Sequence, residues 1–366
     1  MSYRILVINP GSTSTKIGVY EDEQLLFDKT LRHSAEDIAQ FKTIAAQKDW
    51  RRDLVMRALR EQGIDARTLS AVSGRGGLLR PIRGGTYAVN DNMVTDCTIG
   101  IQGQHASNLG GLIAREIGDE LGIPSYIVDP VVIDEMADVA RYAGHPLFQR
   151  VSIFHALNQK AVAKRFAKEQ GKKYEELNLI VAHLGGGISA SVHRHGEIID
   201  SVGDDDGQFS PERSGCVPSL GLIKLCYSGK YTYEEMRKKI RGRGGMYAHL
   251  GTSDCRVIEQ MIRDGDRHAD LIFQAQAYQI AKAIGLLSIV LKGDCDAIIL
   301  TGGVANSKML TERVEDYVKF IAPVCVMPGE NEMEALALGG MRILQGEENA
   351  RIYHILNGVN GKEGQG

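Results

Sequence analysis

The sequence lacks most of the features that would place it at sight. Its six cysteines (Cys97, Cys216, Cys226, Cys255, Cys295 and Cys325) are never closer than ten positions, so no CxxC pair exists for zinc or redox work. Reduced, mostly buried thiols in a cytoplasmic protein are expected instead. Lys+Arg 43 against Asp+Glu 46 leaves a net charge of only −3, which gives no bulk electrostatic reason to bind nucleic acid or an anionic membrane. No apolar run approaches the roughly 18 residues of a spanning helix. The chain runs from Met1 almost directly into a strand-like segment at Arg4, so a secretory signal is not expected either.

Several ligand motifs are absent too. No segment fits the P-loop: Gly11–Lys16 has the lysine without the preceding glycine, and Ser228-Gly229-Lys230-Tyr231 fails at its last position. Gly185–Ala190 matches G-x-G-x-x-A, but Ser189-Ala190-Ser191-Val192 alternates like a strand, whereas a dinucleotide fingerprint must open a helix. Asp204-Asp205-Asp206-Gly207 lacks the spaced acids of a calcium loop and reads as a solvated acidic loop. His193 and His195 flank a hairpin turn, a weak setting for a metal.

Glycine is plentiful: 42 of 366 residues, or 11.5%, against only 9 prolines, where about 7% glycine is usual. Glycine clustered beside β runs marks tight turns where backbone approaches a ligand. A length of 366 residues, at roughly 150 per domain, suggests two domains. The 43% hydrophobic content is ample for two cores and argues against disorder.

The organisation of the chain repeats. Three strands are predicted over Arg4–Ile8, Lys16–Tyr20 and Gln24–Lys29, with a polar turn Asn9–Ser14 after the first. The plan returns at Leu177–His183, Ser189–His193 and Glu197–Val202, with Gly185-Gly186-Gly187 in the turn. From Asn9 to His183 is 183 − 9 = 174 positions, close to half the chain, as for a duplicated domain. Later parts also correspond: Leu69–Ser73 ends in Gly74-Arg75-Gly76-Gly77 and Ala297–Leu300 ends in Thr301-Gly302-Gly303, and short strands Ser125–Val128 and Val324–Met327 follow. Helices are predicted at Ala156–Gln170, Tyr233–Arg241, Asp270–Lys292, Leu310–Phe320 and Glu332–Gln345. The fold class is therefore α/β, two duplicated domains with a cleft between them and Gly-rich hairpin turns suited to a nucleotide phosphate chain. The expected domains are 1–150 with about 340–356, then 151–339, then a disordered tail at 357–366.

Polar groups gather at strand ends, where residues of an α/β protein face a ligand: Asn9 with Ser12, Ser14 and Lys16, then Arg75, Asp129, His183 and Glu332, with Arg213 in a Gly/Ser/Pro-rich loop. Leu6–Lys16 closely resembles the N-terminal signature of the acetate/butyrate kinase family, within the superfamily of duplicated ribonuclease H-like domains that includes actin. The likeness runs from about Arg4 to His354. It includes Gly103-Gln104-His105, Ile153-Phe154-His155, Ala182-His183-Leu184-Gly185, Glu212-Arg213-Ser214-Gly215, Thr301–Asn306 and Asn331-Glu332.

The resemblance implies a reversible, Mg²⁺-dependent transfer of phosphate between ATP and a short-chain fatty acid, giving an acyl phosphate and ADP, in a homo-oligomer. It makes Asn9, Arg75, Asp129, His183, Arg213 and Glu332 catalytic, with Asp129 and Glu332 near the magnesium, directly or through water. It gives Ser12, Ser14, Lys16, Gly185, Gly186 and Gly187 to the phosphates, and Gly302, Gly303 and Asn306 to the nucleotide. Arg75, Gly77, His105, Phe154 and His155 would line the substrate pocket. Two departures favour butyrate over acetate. Gly186 stands where acetate kinases have Asn, and Gly77 stands where they have a branched apolar side chain. Loss of that wall would open room for about two methylenes, each worth roughly 0.8 kcal/mol on burial. Branched acids such as isobutyrate or isovalerate would fit the same space. An acetate or propionate kinase and an actin- or chaperone-like ATPase are the competing readings.

Overall fold

The computed structural model describes residues 2–203 and 205–355; the tail expected at 357–366 lies outside the described residues. The chain forms two compact units, one of Met1–Asp134 with the chain from Asn331 onward, the other Glu135–Glu330.

The first unit carries a seven-stranded sheet in the order β12-β5-β6-β4-β1-β2-β3. Its strands are β1 (Arg4–Pro10), β2 (Ser14–Glu21), β3 (Gln24–Arg32), β4 (Ala71–Arg75), β5 (Thr86–Ala88), β6 (Ser125–Val128) and β12 (Arg351–Ile352). The second unit has five, in the order β11-β10-β7-β8-β9: β7 (Asn178–Leu184), β8 (Ile188–Arg194), β9 (Glu197–Val202), β10 (Ala297–Thr301) and β11 (Val324–Val326). Strands β6-β4-β1-β2-β3 thus repeat β11-β10-β7-β8-β9. In each set the first three strands in sequence pair antiparallel and the rest are parallel. The repeat seen in the sequence is a repeat of topology.

Parallel strands covered on both faces read as continuous apolar runs, and β1 and β7 do. Ile5–Ile8 are wholly buried, and β7 is buried along its length. Successive strand residues face opposite sides, so the contacts of β4 assign its covers. Ser73 donates its hydroxyl to Leu336 O at 2.7 Å, on the helix Glu332–Leu344. Gly74 meets Gly110, on the helix Asn108–Leu121. The two helices sandwich the sheet. In the second unit, Leu179 and Val181 pack with the helix Ala156–Glu169, while Ile180 and Ala182 pack with the helix Arg267–Ser288.

This packing places the unit boundaries at 134/135 and 330/331, against the expected 150/151 and 339/340. The helix Glu332–Leu344 buries Leu336 and Ala337 and contacts β1, β4 and β6. The segment after Glu135 is held to β9 by Ala137 N–H to Ile199 O at 2.9 Å and by Arg150 to Asp200 at 2.9 Å. The cysteines differ from expectation. All six are free thiols, but only Cys97 is fully buried, and Cys216 and Cys226 are exposed. Among the described residues no helix is long and apolar enough to cross a membrane.

Gly74 and Gly110 leave no room for a side chain between strand and helix. A Cβ on Gly110 would overlap the Arg75 carbonyl. Gly110→Ala is expected to cost about 1–3 kcal/mol by overpacking and to lower the urea midpoint. An unchanged midpoint would show that this contact is looser than described.

Candidate active site

The C-terminal ends of β1 and β4 and the start of the helix Glu332–Leu344 meet in the first unit. Arg75 Nη1 donates to Glu332 Oε2 at 2.5 Å and to Asn9 Oδ1 at 3.2 Å. Asn9 Nδ2 donates to the same Glu332 oxygen at 2.9 Å. Three residues from distant parts of the sequence therefore form one closed triangle. Arg75 Nε and Nη2 have no hydrogen-bond partner among the described residues, and the side chain is 33% exposed. A guanidinium in that state still offers a two-pronged edge to a carboxylate or phosphate.

Asp129 follows β6 with φ +38°, a conformation uncommon outside glycine but tolerated best by Asp and Asn. Gly85 fixes it twice: Gly85 N–H donates to Asp129 Oδ1 at 2.7 Å, and Asp129 N–H to Gly85 O at 3.0 Å. His105 Nδ1 lies 2.8 Å from Ser107 Oγ. Burial, with the charge of Arg75, pushes the His105 imidazole below the usual histidine range. Ser12 stands on the β1–β2 turn and Ser14 and Lys16 on the start of β2, with Lys16 exposed and opposite Asn9 in the register.

The second unit builds its own polar cluster at the corresponding strand end. His183, near the end of β7, stacks on His155 with ring centres 3.9 Å apart and planes 11° apart. Asn158 donates its amide N–H to Gly329 O at 3.2 Å. That bond turns Asn158 Oδ1 toward His183 Nδ1, 2.8 Å away, so Nδ1 carries a proton and Nε2 points to the opposite side of the ring. Glu330 Oε1 lies 3.4 Å from Nε2. His155 Nδ1 is 2.7 Å from Ser189 Oγ, and Phe154 beside it is buried. In the Gly185–Gly187 turn, Gly187 lies directly against the Arg213 guanidinium, where any Cβ would overlap Nη1. Ser210 Oγ braces the Arg213 loop, accepting from Arg213 N–H at 3.1 Å and donating to Gly186 O at 2.7 Å. Gly302 has φ +91° and passes so close to the Leu184 carbonyl that only glycine fits. Asn306 Nδ2 folds back on Gly303 O at 2.9 Å.

The expected residues thus form two groups. Asn9, Arg75 and Glu332 are in mutual contact, with Asp129, His105 and the turn residues in the same unit; His155 and His183 are in contact, with Gly185–Gly187, Arg213, Gly302, Gly303 and Asn306 in theirs. The space argument for Gly77 is corrected by the structure. A Cβ there would come within 2.6 Å of Asn108 Cα and Oδ1, so the glycine admits the start of a helix and opens no acyl pocket. The orienting residues Asn158 and Ser189 escaped sequence reasoning. Asn158 lies one helical turn beyond His155, a relation visible only once the helix is known to begin at Ala156.

Among the described residues no group of three or more His, Cys, Asp or Glu side chains could hold a metal. A caged zinc or calcium ion is not what this donor set fits. Hard oxygens supplied by one or two carboxylates suit Mg²⁺, which keeps several waters and takes substrate phosphates as its other ligands.

Residues 125–352 match the acetokinase family. The chain is 56% identical over 353 residues to butyrate kinase 1 of Clostridium acetobutylicum, covering 96% of this chain and 99% of that one. It is 51% identical over 355 residues to butyrate kinase 2 of the same organism, covering 96% and 100%. In fold it is similar to the acetate kinase of Porphyromonas gingivalis, with TM-score 0.78 at 21% identity over 93% of this chain and 100% of that one. The acetate kinase of Entamoeba histolytica gives 0.74 at 16% identity, with the same coverage.

Because a neighbouring cation disfavours the imidazolium, Arg75→Ala is expected to raise the His105 titration midpoint part of the way toward 6.5, burial remaining. The measurement is an NMR titration of the His105 ring, and an unmoved midpoint would separate the two side chains electrostatically.

Proposed function

The chain belongs to the acetokinase family, and from that premise we propose that it is a butyrate kinase, transferring phosphate reversibly between ATP and butyrate to give butyryl phosphate and ADP. Identity of more than half over nearly the full length of a butyrate kinase carries the choice of acid, since Gly77 does not. The observation that carries the chemistry is Arg75, held by Glu332 and Asn9 with its Nε and Nη2 edge unclaimed.

A carboxylate acceptor is already ionised at neutral pH, so the reaction needs no general base. Direct transfer needs no protein nucleophile. The barrier lies in bringing two anions into line and neutralising the charge on the transferring group. Arg75 holds the acyl carboxylate, and Arg213 holds the transferring phosphoryl. His183, through Nε2, and Asn9 donate to the phosphoryl oxygens; on His183 this requires the doubly protonated ring, because Asn158 claims the Nδ1 proton. Ser12, Ser14, Lys16 and the Gly185–Gly187 turn receive the other phosphates, and Gly302, Gly303 and Asn306 the nucleoside. Asp129 and Glu332 are the side chains that would hold Mg²⁺, directly or through water. When bound, Mg²⁺ would supply neutralisation of the nucleotide's phosphate charge.

The test is acyl-phosphate trapping with hydroxylamine, using Mg-ATP and a series from acetate to valerate with isobutyrate and isovalerate included. The expected maximum is at butyrate, and Arg75→Ala and Arg213→Ala should each lower turnover by roughly 10²–10³. A maximum at acetate would keep the family and overturn the substrate. ATP hydrolysis with no acyl phosphate from any acid would overturn the reading.

A further inference from the structure

The side chain of Arg51 is wholly buried in the helix Lys48–Glu61. Its guanidinium lies beneath the β1–β2 turn. Nη1 donates to the carbonyls of Gly11 at 2.8 Å and Ser14 at 3.2 Å and to Thr15 Oγ1 at 3.1 Å. Nη2 donates to the Ser12 carbonyl at 3.2 Å. Nε and Nη2 both reach Gln47 Oε1, at 3.1 and 2.7 Å. Every one of these acceptors is neutral. Burial pushes the guanidinium down only to about 10, so it remains a cation at neutral pH. A buried charge without a counter-charge is costly and uncommon. Hydrogen bonding alone could have been supplied by a neutral side chain.

The turn shows what the charge faces. In a trans peptide the C=O of one residue and the N–H of the next point in opposite directions, and no peptide here is cis. The Gly11 and Ser12 carbonyls point inward at Arg51, so the Ser12 and Thr13 amides point outward. Neither amide donates a hydrogen bond among the described residues, and both residues are exposed. Adjacent outward amides form a concavity for an anion.

We propose that Arg51 is a positioning residue for the phosphate-binding turn: it orients the Ser12 and Thr13 amides toward the ligand and sets a fixed positive charge behind them, so that phosphate affinity depends on that buried charge. The counter-charge missing from the protein is the bound phosphate itself. Anion binding and burial of Arg51 then stabilise each other. This inference rests on the reading of the turn as a phosphate site made above, but not on the identity of the acid.

The experiment compares wild type, Arg51→Gln and Arg51→Lys for binding of tripolyphosphate and Mg-AMP-PNP by calorimetry, with amide and histidine NMR on the same proteins. In wild type the Ser12 and Thr13 amide signals should shift on addition of either ligand. Arg51→Gln should bind both about tenfold or more weakly, as expected for a unit charge removed from behind a polyanion. Arg51→Lys, which keeps the charge and loses the fork, should recover most of the affinity. His33 reports whether the charge has gone. Its Nε2 lies 2.9 Å from Thr15 Oγ1, and burial with the Arg51 charge pushes its ring down to about 4. In a folded Arg51→Gln protein that midpoint should rise. Wild-type affinity in folded Arg51→Gln would overturn the proposal. So would Ser12 and Thr13 signals that ignore both ligands in wild type, a result that needs no variant to fold. Butyryl phosphate formed normally while those amides stay silent would sink this inference and spare the kinase. No acyl phosphate from any acid, with the amides responding and Arg51→Gln weakened, would do the reverse.

Discussion

Arg75 reaches Glu332 across 257 positions of sequence and Asn9 across 66, and the site of the first unit depends on that contact. It joins the ends of two neighbouring strands to the first turn of the helix covering them. The energetics indicate what it is for. The two side chains are 33% and 26% exposed, and ion pairs open to solvent are worth at most about 1 kcal/mol. Stability gives little reason to keep the pair. Its value is geometric: a long, flexible guanidinium is fixed by one prong while the other edge stays available. The second unit fixes an imidazole in the same way, using Asn158 to hold Nδ1 of the buried His183 so that Nε2 turns toward Glu330.

Glycine makes these placements possible where backbone must come close. Gly74 and Gly110 let a helix lie against the strand that carries Arg75, and Gly187 lets a guanidinium lie on a hairpin turn. Gly302 needs both a left-handed φ of +91° and the absence of Cβ against Leu184. The high glycine content of the sequence is therefore spent largely on contacts within each unit. Gly77 belongs to the same class, which is why its reading as a missing pocket wall fails.

Much of this was legible beforehand. The apolar runs of β1 and β7, the alternation of β8, and the repeat 174 positions apart follow from strands buried on one or both faces, a pattern that sequence records directly. The strand-end residues Asn9, Arg75, Asp129 and His183 were visible because a strand end in an α/β unit is a place, not only a composition. The helix Lys48–Glu61 was not found. It is rich in arginine and buries Arg51 among Val55, Ala58 and Leu59, so its inward face is not an apolar stripe. Asn158 and Ser189 were missed for a related reason. Their roles consist of hydrogen bonds that orient a histidine ring, and neither leaves a periodic trace. The unit boundaries shifted because Glu332 begins a helix whose partners lie in the first strands of the chain.

Direct transfer requires that the protein neutralise and align two anions and take no covalent part in the exchange. Transfer from ATP made chiral at the γ-phosphorus with oxygen isotopes tests this most directly, by reading the configuration of the phosphoryl group in butyryl phosphate. A single in-line displacement predicts inversion. Retention would mean that a side chain carries the phosphoryl group between two displacements, and would contradict the account.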